Sequence, residues 1–192
     1  MKVDSFLKFN CMEKVKQTVL TNDPSTRGWG MAVIDFDGNV LAVECIKTGK
    51  QNKVRRIRKG DDDMRRVSEI NQVIKRLIED YNVIHLLSEL PHGSQNAGAA
   101  KSIGMVAAMM QTWADSKNLS IDWFSENDVK KYLFGRSSVT KQEMINKIKT
   151  IRDVPWTDTQ YKDEGIADAI GIYEFALVSS STVKILNNQE RR

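Results

Sequence analysis

The chain has 192 residues, 41% of them hydrophobic and 28% charged, with a formal net charge of +4. That length suits one domain with a sizeable core, and the composition excludes a disordered or fibrous chain. No apolar run reaches the roughly 20 residues of a membrane-spanning helix, and the opening residues lack the apolar core of a secretory signal, so a cytoplasmic protein is expected.

Residues 1–17 carry scattered apolar positions (Phe6, Leu7, Phe9) and read as an N-terminal extension. The first clear element is a strand over 19–23, ending in Asp23. After a Pro/Ser/Thr turn, Trp29, Met31 and Val33 alternate along a second strand over 28–36. Asp37-Gly38 is a hairpin signal, and 40–48 returns as a third strand, so the chain opens as a three-stranded antiparallel meander. Residues 50–66 then hold eight Lys or Arg. Such a run is as readily a solvated loop as a phosphate-binding face.

Val67, Ile70, Val73, Ile74, Leu77, Ile78 and Tyr81 recur at three and four spacing and predict a helix over 62–81. Residues 83–90 form a nearly continuous apolar run stopped by Pro91, as in a strand buried on both faces in parallel pairing. A long helix follows over 96–116, rich in small residues (Ala97, Ala100, Gly104, Ala107, Ala108). A short strand over 121–124 comes next. One helix starts at ENDVKK and stops at Gly135, another covers SSVTKQEMINKIKTI, and the last runs from about 164 to 178. Residues 181–192 read as a tail. The expected class is α/β, with a mixed five-stranded sheet flanked by helices and one domain over 18–180.

Three acids sit where a metal site would want them. Asp23 closes the first strand, Glu89 lies near the end of the fourth, and Asp168 sits on the final helix. The two strand acids have apolar surroundings, where an uncompensated charge is expensive and a divalent cation is a good partner. Oxygen ligands without a Cys or His cluster favour magnesium or manganese. Cys11 and Cys45 form no CxxC pair, which argues against zinc and against a disulfide framework. Glu164 precedes Asp168 by four residues and shares its helical face, so it is either a fourth ligand or a favourable acid at a helix start. Asp163 reads as an N-cap. Two metals held by such a cluster would clamp a phosphodiester.

At these residues the sequence resembles the RuvC family of Holliday junction resolvases, over roughly residues 18–178. The stretch DPSTRGWGMAVID is similar to that family's first hairpin. ELPHGSQNAGAAKSIGMVAA resembles its second acid and the following helix, VKKYLFGRSSVTKQEM its Val-Lys and Lys-Glu segment, and ADAIGIYEFAL its closing helix. The resemblance implies an RNase H-like fold and a structure-selective endonuclease that needs magnesium, with manganese as substitute. It implies a homodimer making paired symmetric nicks in a four-way junction. It makes Asp23, Glu89 and Asp168 metal ligands and gives Lys130 and Lys141 phosphate-facing roles. The basic residues Arg55, Arg56, Arg58 and Lys59 would face DNA. A broader nuclease of forks and flaps, and a junction-binding module without catalysis, stay open as alternatives.

Three positions depart from the family pattern. Ser25 replaces a glycine in the first turn. His92 stands near where some members place an aromatic, and either stacks on a base or is a plain loop histidine; His85, inside a strand, reads as structural. Gly165 occupies the place of the family's fourth acid, with Glu164 as the expected substitute. The divergent motifs point toward a phage-type member acting in a bacterial or phage-infected cell.

Overall fold

The computed structural model describes residues 16–49, 51, 56–90 and 96–190. Its strands are β1 (Thr18–Asp23), β2 (Gly28–Asp35), β3 (Val40–Lys47), β4 (Val83–Glu89) and β5 (Ser120–Phe124). Its helices are α1 (Lys59–Asp80), α2 (Ala97–Lys117), α3 (Glu126–Phe134), α4 (Lys141–Ile151), α5 (Gln160–Ser179) and α6 (Ser181–Glu190). The strands form one sheet in the order β3-β2-β1-β4-β5. The β1–β2 and β2–β3 pairs are antiparallel, and β1–β4 and β4–β5 are parallel. This is the mixed sheet that the sequence predicts.

Strand alternation splits the core in two. Leu20, Trp29, Met31, Val33 and Leu86 face one side, against Ile70, Ile74 and Leu77 of α1 and Val106 and Met110 of α2. Val19, Ala32, Ile34 and Leu87 face the other, against Ile145 and Ile148 of α4 and Ile166, Ile170 and Tyr173 of α5. Both residues of adjacent pairs such as Val19–Leu20 and Leu86–Leu87 are fully buried. That explains why β4 reads as a nearly continuous apolar run rather than an alternating one.

Helix α5 lies directly on the sheet. A Cβ at Gly30 would overlap the backbone carbonyl of Gly165, and one at Gly165 would sit 3.3 Å from the Gly30 Cα. Two backbones meet there with no side chain between them. Farther along, the Thr21 hydroxyl donates to the Ala169 carbonyl at 2.5 Å and the Tyr173 hydroxyl to the Asp35 carbonyl at 3.4 Å.

Three expectations change. α5 begins at Gln160, a full turn before 164, with Thr159 at its N-cap. Asp163 is therefore not the cap. It is buried in the first turn and accepts from the Thr157 backbone N–H (2.9 Å) and hydroxyl (2.7 Å), holding the loop before the helix. Residues 181–190 are not a loose tail but helix α6, whose Val183 is fully buried against the core. Residues 1–15 of the expected extension, including Cys11, lie outside the described residues; Cys45 is buried and unbridged. Among the described residues no single helix is long and apolar enough to cross a membrane.

The glycine contact is testable. Gly30→Ala should lower unfolding free energy by about 3 kcal/mol in urea denaturation, because helix or strand must shift. Gly104→Ala, where an added Cβ meets nothing within 4 Å, should instead stabilise by up to about 1 kcal/mol. Equal midpoints for the two variants would contradict the close packing.

Candidate active site

The parallel register sets the site. Asn22 of β1 faces Ser88 of β4, so the next residues, Asp23 and Glu89, end neighbouring strands at the same sheet edge. Thr21 bonds α5, and Leu87 packs with the α5-side core. Two residues further on, alternation turns Asp23 and Glu89 toward that face as well. The intervening Asn22 is buried on the opposite side. Its amide donates to the carbonyls of Leu20 (3.1 Å) and Leu87 (3.2 Å), and its carbonyl accepts from Trp29 Nε1 (3.2 Å). Asn22 thus fastens β1 to its neighbours directly beneath Asp23.

Asp168 arrives from α5, one residue before the Ala169 carbonyl that Thr21 holds. Lys141 is the first residue of α4, whose start is fixed by a capping box. The Thr140 hydroxyl accepts from the Glu143 N–H at 3.2 Å, and the Glu143 carboxylate accepts from the Thr140 N–H at 2.8 Å. From there the Lys141 ammonium reaches the Asp168 carboxylate in an ion pair, its chain half exposed while Asp168 is 11% exposed.

A fourth acid joins these, and sequence reading missed it. Glu89 is in register with Phe124 of β5, and the Leu90 N–H donates to the Phe124 carbonyl at 2.8 Å. Glu126, two residues on, opens α3 at the same edge. It forms an ion pair with Lys130 one turn later, which is only 14% exposed. In sequence Glu126 reads as an ordinary acid at a helix start. The usable signal was the pairing of β5 beside β4, which brings the two strand ends together.

Burial is the main influence on the acids. It pushes the Asp23 carboxyl well above its ordinary value, and the Asp168 and Glu89 charges push it further. Glu89 rises to about 7, through burial first and then the charges of Glu126 and Asp168. Asp168 is also raised by burial, against the pull of Lys141 and Lys130. For Lys141, burial acts downward, but the Asp168 carboxylate outweighs it and raises the ammonium's pKa.

The expected fourth acid stands apart. Glu164 accepts from Gln160 Nε2 at 3.3 Å, and it is not among the charges that dominate at Asp23, Glu89 or Asp168. A side chain at position 165 would point at Gly30 and the Cys45 sulfur, into the sheet. His85, also read as structural, is fully buried, with Nδ1 2.6 Å from the Ser120 hydroxyl and Nε2 3.4 Å from the Asp122 carboxylate. Burial lowers its pKa, so it stays neutral.

Beside Asp23 a cleft of about 680 Å³ opens, lined by Pro24 to Arg27, Lys59 and Arg66, and by Asn96 and Gly98 at the start of α2. Asn96 caps that helix, accepting from the N–H groups of Gly98 (2.9 Å) and Ala99 (3.1 Å). Arg66 is buried and bonds the Thr48 hydroxyl and the Thr26 carbonyl, so it holds the turn after Asp23. Of the basic residues read from sequence, Lys59 lines the cleft, Arg58 pairs with Asp61 at 2.8 Å, and Arg56 is exposed with a positive φ of 52°. Arg55 and His92 lie outside the described residues. Arg27 was not anticipated; it follows from the turn that Arg66 anchors.

Among the described residues no three His, Cys, Asp or Glu side chains converge closely enough, as they stand, to hold a metal ion. Two of the four carboxylates are instead held by ammonium groups, Asp168 by Lys141 and Glu126 by Lys130. The donor chemistry nevertheless fits a hard divalent cation: four oxygen-donor acids face two lysines, and burial, with the neighbouring carboxylates, raises the proton affinity of Asp23, Glu89 and Asp168.

Residues 19–173 match the family model described as crossover junction endodeoxyribonuclease RuvC. A curated protein of that name from Natranaerobius thermophilus is 24% identical over 153 residues, covering 78% of this chain and 88% of the relative. Another from Cytophaga hutchinsonii is 24% identical over 149 residues, covering 76% and 72%. In overall shape the chain is similar to Thermus thermophilus RuvC in complex with Holliday junction substrate, with a TM-score of 0.62 at 15% identity, covering 86% of this chain and 97% of that one. The yeast mitochondrial Holliday junction resolvase gives 0.60 at 13% identity, covering 90% and 82%.

The crowded acids make stability depend on pH. Folded Glu89 holds its proton up to about 7, whereas an unfolded chain releases it near 4.5. The folded state therefore binds more protons in that window, and stability should fall as pH rises through it. The loss due to Glu89 is at most about 3–4 kcal/mol, from the rise from 4.5 to about 7 at about 1.36 kcal/mol per pH unit. In metal-free protein the melting temperature should drop across that range, and Glu89→Gln should flatten much of the slope. A melting temperature that climbs over the same range would refute this electrostatic account.

Proposed function

The chain belongs to the RuvC family of crossover junction endodeoxyribonucleases, and from that premise we propose that it resolves Holliday junctions by magnesium-dependent hydrolysis of phosphodiesters. The observation that carries the proposal is the meeting of Asp23, Glu89 and Asp168 at one sheet edge, with Lys141 among them. We assign Asp23, Glu89 and Asp168 as the residues that would hold the metal. When bound, magnesium would polarise the phosphodiester and favour ionisation of an attacking water; manganese is expected to substitute.

The chain's own groups do the positioning. Lys141 rides on the capped first turn of α4, so its ammonium is delivered to the acids by a rigid element. Its half-exposed chain can turn from Asp168 to a phosphate oxygen. Lys130 offers a second cation beside the same carboxylates. The cleft next to Asp23, with Arg27, Lys59 and the start of α2, suits the phosphates of the strand entering the site. Such contacts read backbone and shape rather than base sequence. Glu164 has no role in this reading, because its neighbours are Gln160 and Tyr161 rather than the acids.

Two active sites are needed for paired nicks, and we propose a homodimer joined through α2. Ala100, Gly104 and Ala108 form an exposed stripe at four-residue spacing on that helix, while Val106, Met110 and Ala114 pack inward. Beside the stripe, Met64, Val67, Met109 and Trp113 line an apolar groove between α1 and α2. Small residues at this spacing permit close approach of a second helix.

Asp23→Asn should reduce magnesium-dependent cleavage of a synthetic four-way junction by more than about a hundredfold while leaving junction binding largely intact. Undiminished cutting by a clean preparation would remove Asp23 from the site. Equal cutting of matched flaps and three-way forks would broaden the substrate. Gly104→Arg, at a position with open space around it, should leave the fold intact and yield monomers in sedimentation. A dimer that survives this change would move the interface elsewhere.

A further inference from the structure

Resting on the metal-dependent reading of the site, we infer that Glu126 is a fourth carboxylate ligand, supplied by the start of α3 in place of an acid on α5. The geometry begins at the β4–β5 edge. The 2.8 Å bond from the Leu90 N–H to the Phe124 carbonyl clamps the two strand ends together. Ser125 is extended (φ −89°, ψ 135°), and the helix opens at once with Glu126. The side chain is 38% exposed, so it lies at the mouth of the site rather than in the core.

Its charge reaches every member of the cluster. It is the first among the charges acting on Glu89, and it also acts on Asp23, Asp168 and Lys141. Among the described residues no other acid outside Asp23, Glu89 and Asp168 is among the leading charges on these groups. Position 165 cannot contribute, since its Cβ direction leads to Gly30 and Cys45, and Glu164 is turned to Gln160. The two ion pairs have the same form: a lysine on α4 holds Asp168, and a lysine on α3 holds Glu126. Lys141 compensates the largely buried Asp168 and Lys130 the half-exposed Glu126, and each lysine would have to yield for its carboxylate to ligate a divalent cation.

Calorimetric titration of Mn²⁺ into the full chain, without nuclease turnover, tests this. Glu126→Gln should weaken binding at least about tenfold. The loss should persist in about 1 M salt, where a Debye length of about 3 Å removes effects of charge at a distance. Glu164→Gln should bind as the wild type does. Lys130→Met, which frees Glu126 from its pair, should tighten binding. If the Glu126–Lys130 pair merely braces α3, both variants weaken binding together, and the assignment fails. It fails equally if Glu126→Gln matches the wild type while Asp23→Asn does not, or if the loss vanishes in high salt; either result leaves the metal-dependent reading standing. Wild-type protein that takes up no Mn²⁺, with or without a four-way junction, overturns that reading and the role of Glu126 with it.

Discussion

The contact between Gly30 and Gly165 is the constraint on which the rest depends. Two backbones can meet this closely only where neither carries a Cβ. By lying flush on β2, α5 comes near enough for Thr21 to reach the Ala169 carbonyl. That register fixes Asp168 over the ends of β1 and β4. A helix held off by ordinary side chains would sit several ångströms higher, and Asp168 could not share a site with Asp23 and Glu89. The packing of a helix and the assembly of a carboxylate cluster are here one geometric fact.

The same fact is unfavourable for stability. Pressing α5 onto the sheet buries carboxylates beside one another, and burial and mutual repulsion both disfavour their charged forms. Lys141 and Lys130 offset part of this. Each comes from a helix anchored in the α5-side core, α3 by Val129 and α4 by Ile145 and Ile148, and a full capping box fixes the start of α4 from which Lys141 extends. The fold tolerates the repulsion because apolar core backs the edge: Val19, Leu20, Leu86 and Leu87 are fully buried behind the acids. Asn22 adds a satisfied polar anchor beneath Asp23. Carboxylates perturbed by burial and by one another, on rigid support, are characteristic of functional sites.

Most of the sheet was legible in the sequence. Alternation at Trp29, Met31 and Val33, the Asp37-Gly38 turn and the apolar run before Pro91 each carry a local signal, and local signals survive without tertiary context. Asp23, Glu89 and Asp168 were legible because acids at apolar strand ends and on an apolar helix are conspicuous. What escaped reading depended on neighbours distant in sequence. Asp163 looked like a cap, yet its partner is the Thr157 loop and the helix starts earlier. Residues 181–190 looked polar enough for a tail, but Val183 is buried in the core and Leu186 packs against it. Glu164 shares a helical face with Asp168, but one turn of α5 carries it past the cluster. Helical phase predicts direction, not what lies in that direction.

Glu126 makes the same point from the other side. Nothing in ENDVKK sets it apart from any acid in the first turn of a helix, and its importance comes wholly from β5 pairing in parallel beside β4. Once the strand order is β1-β4-β5, every helix that begins just after β5 must start next to Glu89. A site built where strand ends and helix starts converge is thus not tied to particular elements. An acid can be lost from α5, where close packing on Gly30 leaves position 165 no room to face the cluster, and another can arise on α3, without any change of fold. The requirement is on the charge at the edge, and the topology offers more than one position from which to meet it.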